Sequence, residues 1–281
     1  MPTLKEIKGR ISSVQSTLKI TSAMKLVSSA KLRKAQTAIE NMQPYQAQLQ
    51  RILGTTLSAL PGKDRPLPLP EQGGRVAIVA FASNSSLCGG FNANVIAKVR
   101  ELLGQYPDAE VYSIGRKMAE AMRKAGHPSP ADYSDLSDHP AYAPCAALAQ
   151  QLADEVAQGR LGRVFLVYNH YVSTARQVPT AEQFLPASLP EAAAADTFPA
   201  DVILEPSARE LLDQLLPKVQ KLKLFTTLLD SAAAEHAART IAMQTATDNG
   251  EDLLDELTLQ YNKGRQQKIT SEILDLAGGQ Q

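Results

Sequence analysis

The chain has 281 residues, with 29 basic and 29 acidic side chains and no formal net charge. That length suffices for one large domain or two modest ones, each with a hydrophobic core. Apolar residues at 44% and charged residues at 21% exclude wholesale disorder, collagen-like repeats and a disulfide framework. No apolar run reaches the ~18 residues of a membrane span. The most hydrophobic stretch runs only from Val76 to Ala82. Two cysteines, Cys88 and Cys145, fit a reducing compartment, and nothing suggests that they pair. The start, MPTLKEIKGRISS, is basic, but Glu6 interrupts it and its apolar spacing continues into the next forty residues. It reads as mature helix rather than a leader, and a cytoplasmic chain is expected.

Proline and glycine divide the chain into residues 1–58, 59–206 and 207–281. No proline lies between Pro2 and Pro44, no glycine between Gly9 and Gly54, and no proline after Pro217. Since these residues punctuate regular structure, the two ends read as long helices and the middle as a loop-rich domain. Charge follows the same boundaries, at +7, −4 and −3. A neutral total therefore hides a basic first arm.

In the first arm Leu4, Ile7, Ile11, Val14, Leu18, Thr21, Lys25, Ser28, Leu32, Ala35, Ile39, Met42, Gln46, Leu49 and Leu53 step by alternating three and four. This is a heptad seam. Around its polar centre a second stripe, Ile20, Met24 and Val27, faces elsewhere. Pro44 is expected to kink the helix.

The middle predicts strands at Val76–Ser83, Glu110–Ile114, Arg163–Val172 and Asp201–Glu205. It predicts helices at Asn92–Gln105, Arg116–Ala125 and Cys145–Gln158. That alternation argues for an α/β layer with a largely parallel sheet. Pro186–Ala200 reads as a surface loop.

The second arm opens with a capping box, Ser207-Ala-Arg-Glu210. Its seam runs from Leu212, Leu215 and Val219 through Leu229, Ala233 and His236 to Leu257 and Tyr261, then shifts to Ile269, Ile273 and Leu276. Pro217 either kinks this helix or opens a new one. A helix of ~55 residues is ~80 Å long, too long to bury its stripe on a domain of this mass. Antiparallel pairing of the two arms is the expected solution. Thr21–Ala30 and Thr240–Gly250, small and polar on most faces, suit a helix enclosed by something else.

Chemistry is sparse. Leu87-Cys88-Gly89-Gly90-Phe91-Asn92 sits between a strand and a helix, but without the spaced glycines of a dinucleotide fingerprint it reads as a structural turn. There is no phosphate-binding GxxxxGK[ST] sequence. His127, His139, His170 and His236 lack metal-ligand spacing. Asp132, Asp135 and Asp138 read as a solvated loop. No catalytic, cofactor-binding or metal-binding residue is assigned. The basic arm has Tyr45 as its one aromatic, so a protein partner suits it better than nucleic acid.

Three ordered motifs carry a resemblance. LKITSAMKLVSSAKLRKA (residues 18–35) looks like the N-terminal signature of the gamma subunit of F-type ATP synthase, bacterial type. EHAARTIAMQTATDNGE (235–251) and LQYNKGRQQKITSEI (259–273) resemble its C-terminal signature, and LCGGFN (87–92) matches its central motif. The resemblance implies an antiparallel coiled coil of N- and C-terminal helices plus a central Rossmann-like α/β domain. It implies a non-catalytic, central-stalk rotor standing inside three alpha and three beta subunits. Its foot, residues Leu204 to Phe225 and the central domain, would touch the c-subunit ring and epsilon, with delta in the same F1 sector. Proton flow would turn the rotor and drive ATP formation on beta. The expected location is the cytoplasmic face of the bacterial plasma membrane, held there only through the complex.

Met24, Lys31, Glu235, Arg239, Arg265, Gln266 and Thr270 stand at family positions facing the alpha–beta sleeve. Glu235 and Arg239 are also four apart on a helix, so a plain surface ion pair stays open for them. Two departures stand out. Asn84-Ser85-Ser86 replaces the usual Asp-Arg-Gly, and Lys25 replaces an often acidic residue. Two other classes remain as alternatives: a dinucleotide-dependent reductase with helical arms, and a generic coiled-coil adaptor.

Overall fold

The computed structural model describes residues 3–60, 74–186 and 203–278, with side chains to residue 274. The elements in chain order are α1 (Leu4–Ala59), β1 (Arg75–Phe81), α2 (Phe91–Gln105), β2 (Glu110–Ile114) and α3 (Arg116–Lys124). Next come α4 (Ser134–Asp138), α5 (Tyr142–Ala157), β3 (Leu161–Ser173), β4 (Arg176–Leu185) and α6 (Ala208–Gly278). Pro44 and Pro217 both lie inside their helices. The contacts define two compact units, residues 30–238 and residues 1–29 with 239–281. The long helices contribute to both, so these units divide the chain elsewhere than its prolines and glycines do.

In the larger unit the sheet order is β2-β1-β3-β4. The first three strands are parallel, and β4 returns antiparallel to β3. A parallel strand buried on both faces must be apolar throughout, which explains the run at Val76–Ala82. Ile78, Ala80 and Val167 face Val95, Val99, Met118 and Met122 of α2 and α3. Ala77, Val79, Phe81 and Leu166 face Leu148, Leu152 and Val156 of α5 and Leu224 and Leu228 of α6. Burying each of these side chains larger than alanine is worth about 1.5–3 kcal/mol.

Three of the four expected strands and all three central helices are present. Of the fourth, residues 201 and 202 lie outside the described set, and Ile203, Leu204 and Glu205 form no strand. The fourth strand is β4 instead. Its sequence RQVPTAEQFL carries Pro179 and charged residues, which weigh against a strand by pattern alone. On the edge of a sheet, where one row of backbone groups has no neighbour, proline is tolerated. The aspartate-rich loop contains a short helix, α4. Asp132 accepts the Ser134 N–H at 2.9 Å, and these bonds from Ser134 hold its carboxyl below the usual carboxylate range. Most of the expected surface loop at Pro186–Ala200 lies outside the described residues.

The helical part of this unit is an antiparallel pair. Leu32 and Ala35 pack with Ala233 and Ala237. Leu49 packs with Leu215 and Leu222, and Leu53 and Leu57 with Leu212. All of these but Leu57 and Ala237 belong to the predicted seams. α6 begins with the expected capping box: the Glu210 N–H donates to Ser207 Oγ at 3.2 Å, and Ser207 Oγ donates back to Glu210 Oε1 at 3.3 Å. At the start of α1 the Glu6 N–H donates to Thr3 Oγ1 and the Thr3 backbone N–H donates to Glu6 Oε2 at 2.7 Å, a reciprocal capping box.

Gly115 joins β2 to α3 at φ +96°, and a Cβ there would meet the Ala82 carbonyl oxygen at 2.0 Å. Gly115→Ala should therefore cost at least about 1–3 kcal/mol in urea denaturation. Burial on α5 pushes the Cys145 thiol up to about 12. Its neutral form is the one folding favours, so this contribution is complete below the unfolded thiol value and is lost as pH rises towards 12. Thiol reagents at pH near 8 should spare Cys145 in the folded chain and modify it in denaturant.

Candidate functional site

The smaller unit is an antiparallel helix pair. Leu4 meets Gly264, Leu18 meets Gly250, and Thr21 Oγ1 lies 2.9 Å from Thr247 Oγ1. Lys25 Nζ donates to Gln244 Oε1 at 2.5 Å. Each step up one helix is matched by an equal step down the other, so the register is single. The glycines let the backbones approach: a Cβ on Gly250 would stand 2.7 Å from Leu18 Cδ2. At the centre Thr21, Ser28 and Thr247 are buried polar side chains, as the gap in the seam predicts.

Outside this seam the pair is unusually apolar for a surface. Ile20, Leu26 and Val27 are 60%, 69% and 58% exposed. Ile241, Leu259, Ile269 and Ile273 are exposed as well. Single exposed apolar residues are ordinary, but this many, spread round more than one side of α1 with Leu26 about 100° from Val27, suit a helix that a partner covers. The basic residues Lys5, Lys8, Arg10 and Lys19 are exposed on the same arm.

The seven predicted contact residues fall into two groups. Met24 is half-buried, while Lys31, Arg265, Gln266 and Thr270 are exposed. Glu235 and Arg239 are buried, each 7% exposed. Glu235 points at the central sheet, where it lines a cleft with Phe81, Ala82, Ile114 and Ser137. Sequence spacing alone could not show this, because the side of α6 that carries Glu235 is set by where the sheet docks.

Leu87-Cys88-Gly89-Gly90 joins β1 to α2 in a turn. Leu87 and Gly89 have φ +65° and +57°, and Gly90 immediately precedes α2. Asn92 fastens it: its Oδ1 accepts the Ser83 N–H at 3.0 Å, and its Nδ2 donates to Ser83 Oγ at 2.8 Å and to Cys88 Sγ at 3.2 Å. Cys88 and Phe91 pack on Ala234 and Ala238 of α6. In the altered loop Asn84 does the tying. Its Nδ2 donates to the Ser134 carbonyl and to Asp138, and its Oδ1 accepts the Arg116 N–H at 2.8 Å. Arg116 Nη2 donates to the Asn84 carbonyl at 2.8 Å. An uncharged side chain thus organises this corner.

In open α/β sheets nucleotides bind beyond the carboxyl ends of the parallel strands. Here that place is filled. Ser137 Oγ donates to the Ala82 carbonyl at 3.0 Å, and Leu228, Ser231, Ala232 and Glu235 of α6 close over the ends of β1 and β2. The remaining cavity is about 10 Å³, room for a water and far below the 300 Å³ or more of a small-molecule site. Among the described residues no group of His, Cys, Asp and Glu could hold a metal.

The fold is that of a rotary ATP synthase stalk subunit. It superposes on a chain of the Euglena gracilis mitochondrial ATP synthase rotor with TM-score 0.64 at 18% identity, covering 95% of this chain and 98% of that one. The ATP synthase family pattern matches residues 3–281. The chain is 50% identical to the ATP synthase gamma chain of Phocaeicola vulgatus and 48% identical to that of Bacteroides fragilis, over 99% of both partners in each comparison. The chain belongs to the ATP synthase gamma chain family.

The hydroxyl pair at the seam centre is a measurable register lock. Thr21→Val and Thr247→Val should each lower thermal stability by about 1 kcal/mol. The double variant should lose less than the sum, with a coupling of about 0.5 kcal/mol in a double-mutant cycle.

Proposed function

We propose that the chain couples rotation of a c-subunit ring to nucleotide turnover on beta subunits, without itself being catalytic. The observation that carries this is the helix pair of residues 4–29 and 239–274. Its seam is satisfied internally, yet it leaves the apolar side chains Ile20, Leu26 and Val27 uncovered on more than one side of α1. A surrounding sleeve of three alpha and three beta subunits gives those side chains their partner. The exposed lysines and arginines of the first arm favour an acidic counter-surface. An asymmetric pair offers each of three identical beta subunits a different face. Rotation then redistributes nucleotide affinity through differential contacts, which is what coupling free energy means.

We assign sleeve contact to Met24, Lys31, Arg265, Gln266 and Thr270, the accessible members of the set. Glu235 and Arg239 are the least accessible and contribute less directly. The filled crevice above β1 and β2 weighs against a dinucleotide-dependent enzyme. Epsilon and the c ring are proposed partners of the central domain and of residues 204–225, with delta completing the same F1 sector. No helix among the described residues is long and apolar enough to cross a membrane. Peripheral attachment through the complex, at the cytoplasmic face of a bacterial plasma membrane, fits that.

Affinity purification from detergent-solubilised membranes should recover alpha and beta at about three copies each per chain. Recovery of the chain alone, or with one unrelated partner, would refute the rotor reading. Arg265→Ala, Gln266→Ala and Thr270→Ala should leave the stability of the chain within about 0.5 kcal/mol of the parent. They should lower proton pumping per ATP hydrolysed in inverted vesicles. An adaptor that needed only apolar contact would tolerate all three.

A further inference from the structure

β3 and β4 are longer than the strands beside them. The pairing of β3 with β1 ends at Val167 opposite Ala80. Beyond it, Tyr168 to Ser173 pair only with residues 176–180 of β4. Residues 168–180 thus form a two-stranded arm, and a lone hairpin is marginal in water. The arm therefore needs support from outside the sheet.

Tyr171 supplies it. Its N–H donates to Asp230 Oδ1 of α6 at 2.9 Å, and the neighbouring His170 Nδ1–H donates to Asp230 Oδ2 at 2.6 Å. Its hydroxyl accepts from Gln36 Nε2 of α1 at 2.9 Å. Its ring packs beside Leu32, Ala35, Ala233 and Ala237 on one side and Cys88, Phe91, Ala234 and Ala238 on the other. One residue thus joins both long helices, the sheet and the LCGGFN turn.

The apolar surface there is smooth. Ala232, Ala233, Ala234, Ala237 and Ala238 are all buried. Methyl groups permit close approach but make shallow ridges, which interdigitate poorly and resist sliding weakly. Resistance to lateral force falls to directional bonds. Lys223 to Glu182 of β4, at 2.8 Å, adds one more, but it is partly exposed and screened. A half-buried carboxylate that accepts two hydrogen bonds is the strongest anchor present.

We propose that Asp230 is the pin of a torque-bearing joint. Through Tyr171 and His170 it locks the β3–β4 arm to the helices, so that force on the sheet domain turns them with little slip. Asp230 is a positioning residue, and the proposal rests on the rotor reading. It is tested in the complete enzyme with the sleeve immobilised and a probe on the c ring, by measuring angular fluctuations, unloaded ATP hydrolysis and proton pumping against a gradient.

In Asp230→Ala, unloaded hydrolysis should stay within about twofold of the parent, Asp230 being none of the assigned sleeve contacts. Torsional stiffness should fall by about half, because the strongest tether is lost. Pumping should fall most at the steepest gradient. Asp230→Asn, which keeps an acceptor for the Tyr171 N–H, should lie between parent and Asp230→Ala. Unchanged stiffness in both variants overturns the joint, whatever their thermal stability. If Asp230→Ala fails to assemble, Asp230→Asn and His170→Ala, which removes the bond to Asp230 Oδ2, decide by the same stiffness criterion. A parent complex whose probe does not turn on ATP would instead sink the rotor reading.

Discussion

Two chain ends that cannot fold alone hold this protein together by folding on each other. Each long helix carries an apolar stripe with no place in the α/β domain along its whole length, and burial of that stripe is what stabilises a long helix in water. The partner is the other terminus, so within each unit the helices run antiparallel. Their register is kept by leucines throughout, and in the smaller unit by glycines under Leu4 and Leu18 and a threonine pair. The sheet domain inherits its place from the same constraint, because Leu224 and Leu228 of α6 belong to its core.

The interior of each helix pair and its exterior follow opposite rules. Inside, close contact selects Gly, Ala, Thr and Leu at fixed intervals. Outside, Ile20, Leu26 and Val27 remain in water, an arrangement that costs solubility and has a use only if another surface covers them. The central domain shows a second trade. An α/β sheet offers a crevice at its strand ends, and here that crevice is occupied by α6 and Ser137. A site that could have bound a nucleotide serves instead as a socket for a helix. The same architecture thus accommodates a helix where other proteins place a ligand.

Small residues set the character of the contact between sheet and helices. The alanines between residues 232 and 238 bring α1, the LCGGFN turn and Tyr171 close, which buries area but supplies little grip. Polar ties at Asp230, Gln36 and Lys223 then carry direction. In a body that transmits force, apolar area provides stability and hydrogen bonds provide stiffness, because only the latter fall steeply with angle.

Much of this was legible in the residues. Heptad spacing exposed both helices and their seams, the unbroken apolar run exposed β1, and Ser207 with Glu210 marked the start of α6. The three motifs identified the family. β4 was not legible: Pro179 and its charges fit a strand only once an edge position exists to receive them. The orientation of Glu235 was hidden for a similar reason, since a helix with apolar residues on several sides does not reveal which side a distant sheet will cover. Tyr171 and Asp230 lie 59 residues apart with no pattern linking them. The sequence by itself determined which segments are helical and which residues form their seams, because those depend on neighbours three and four positions away. Tertiary structure alone decided which polar groups meet across the seam and which are enclosed, because those depend on partners brought together only when the chain closes on itself.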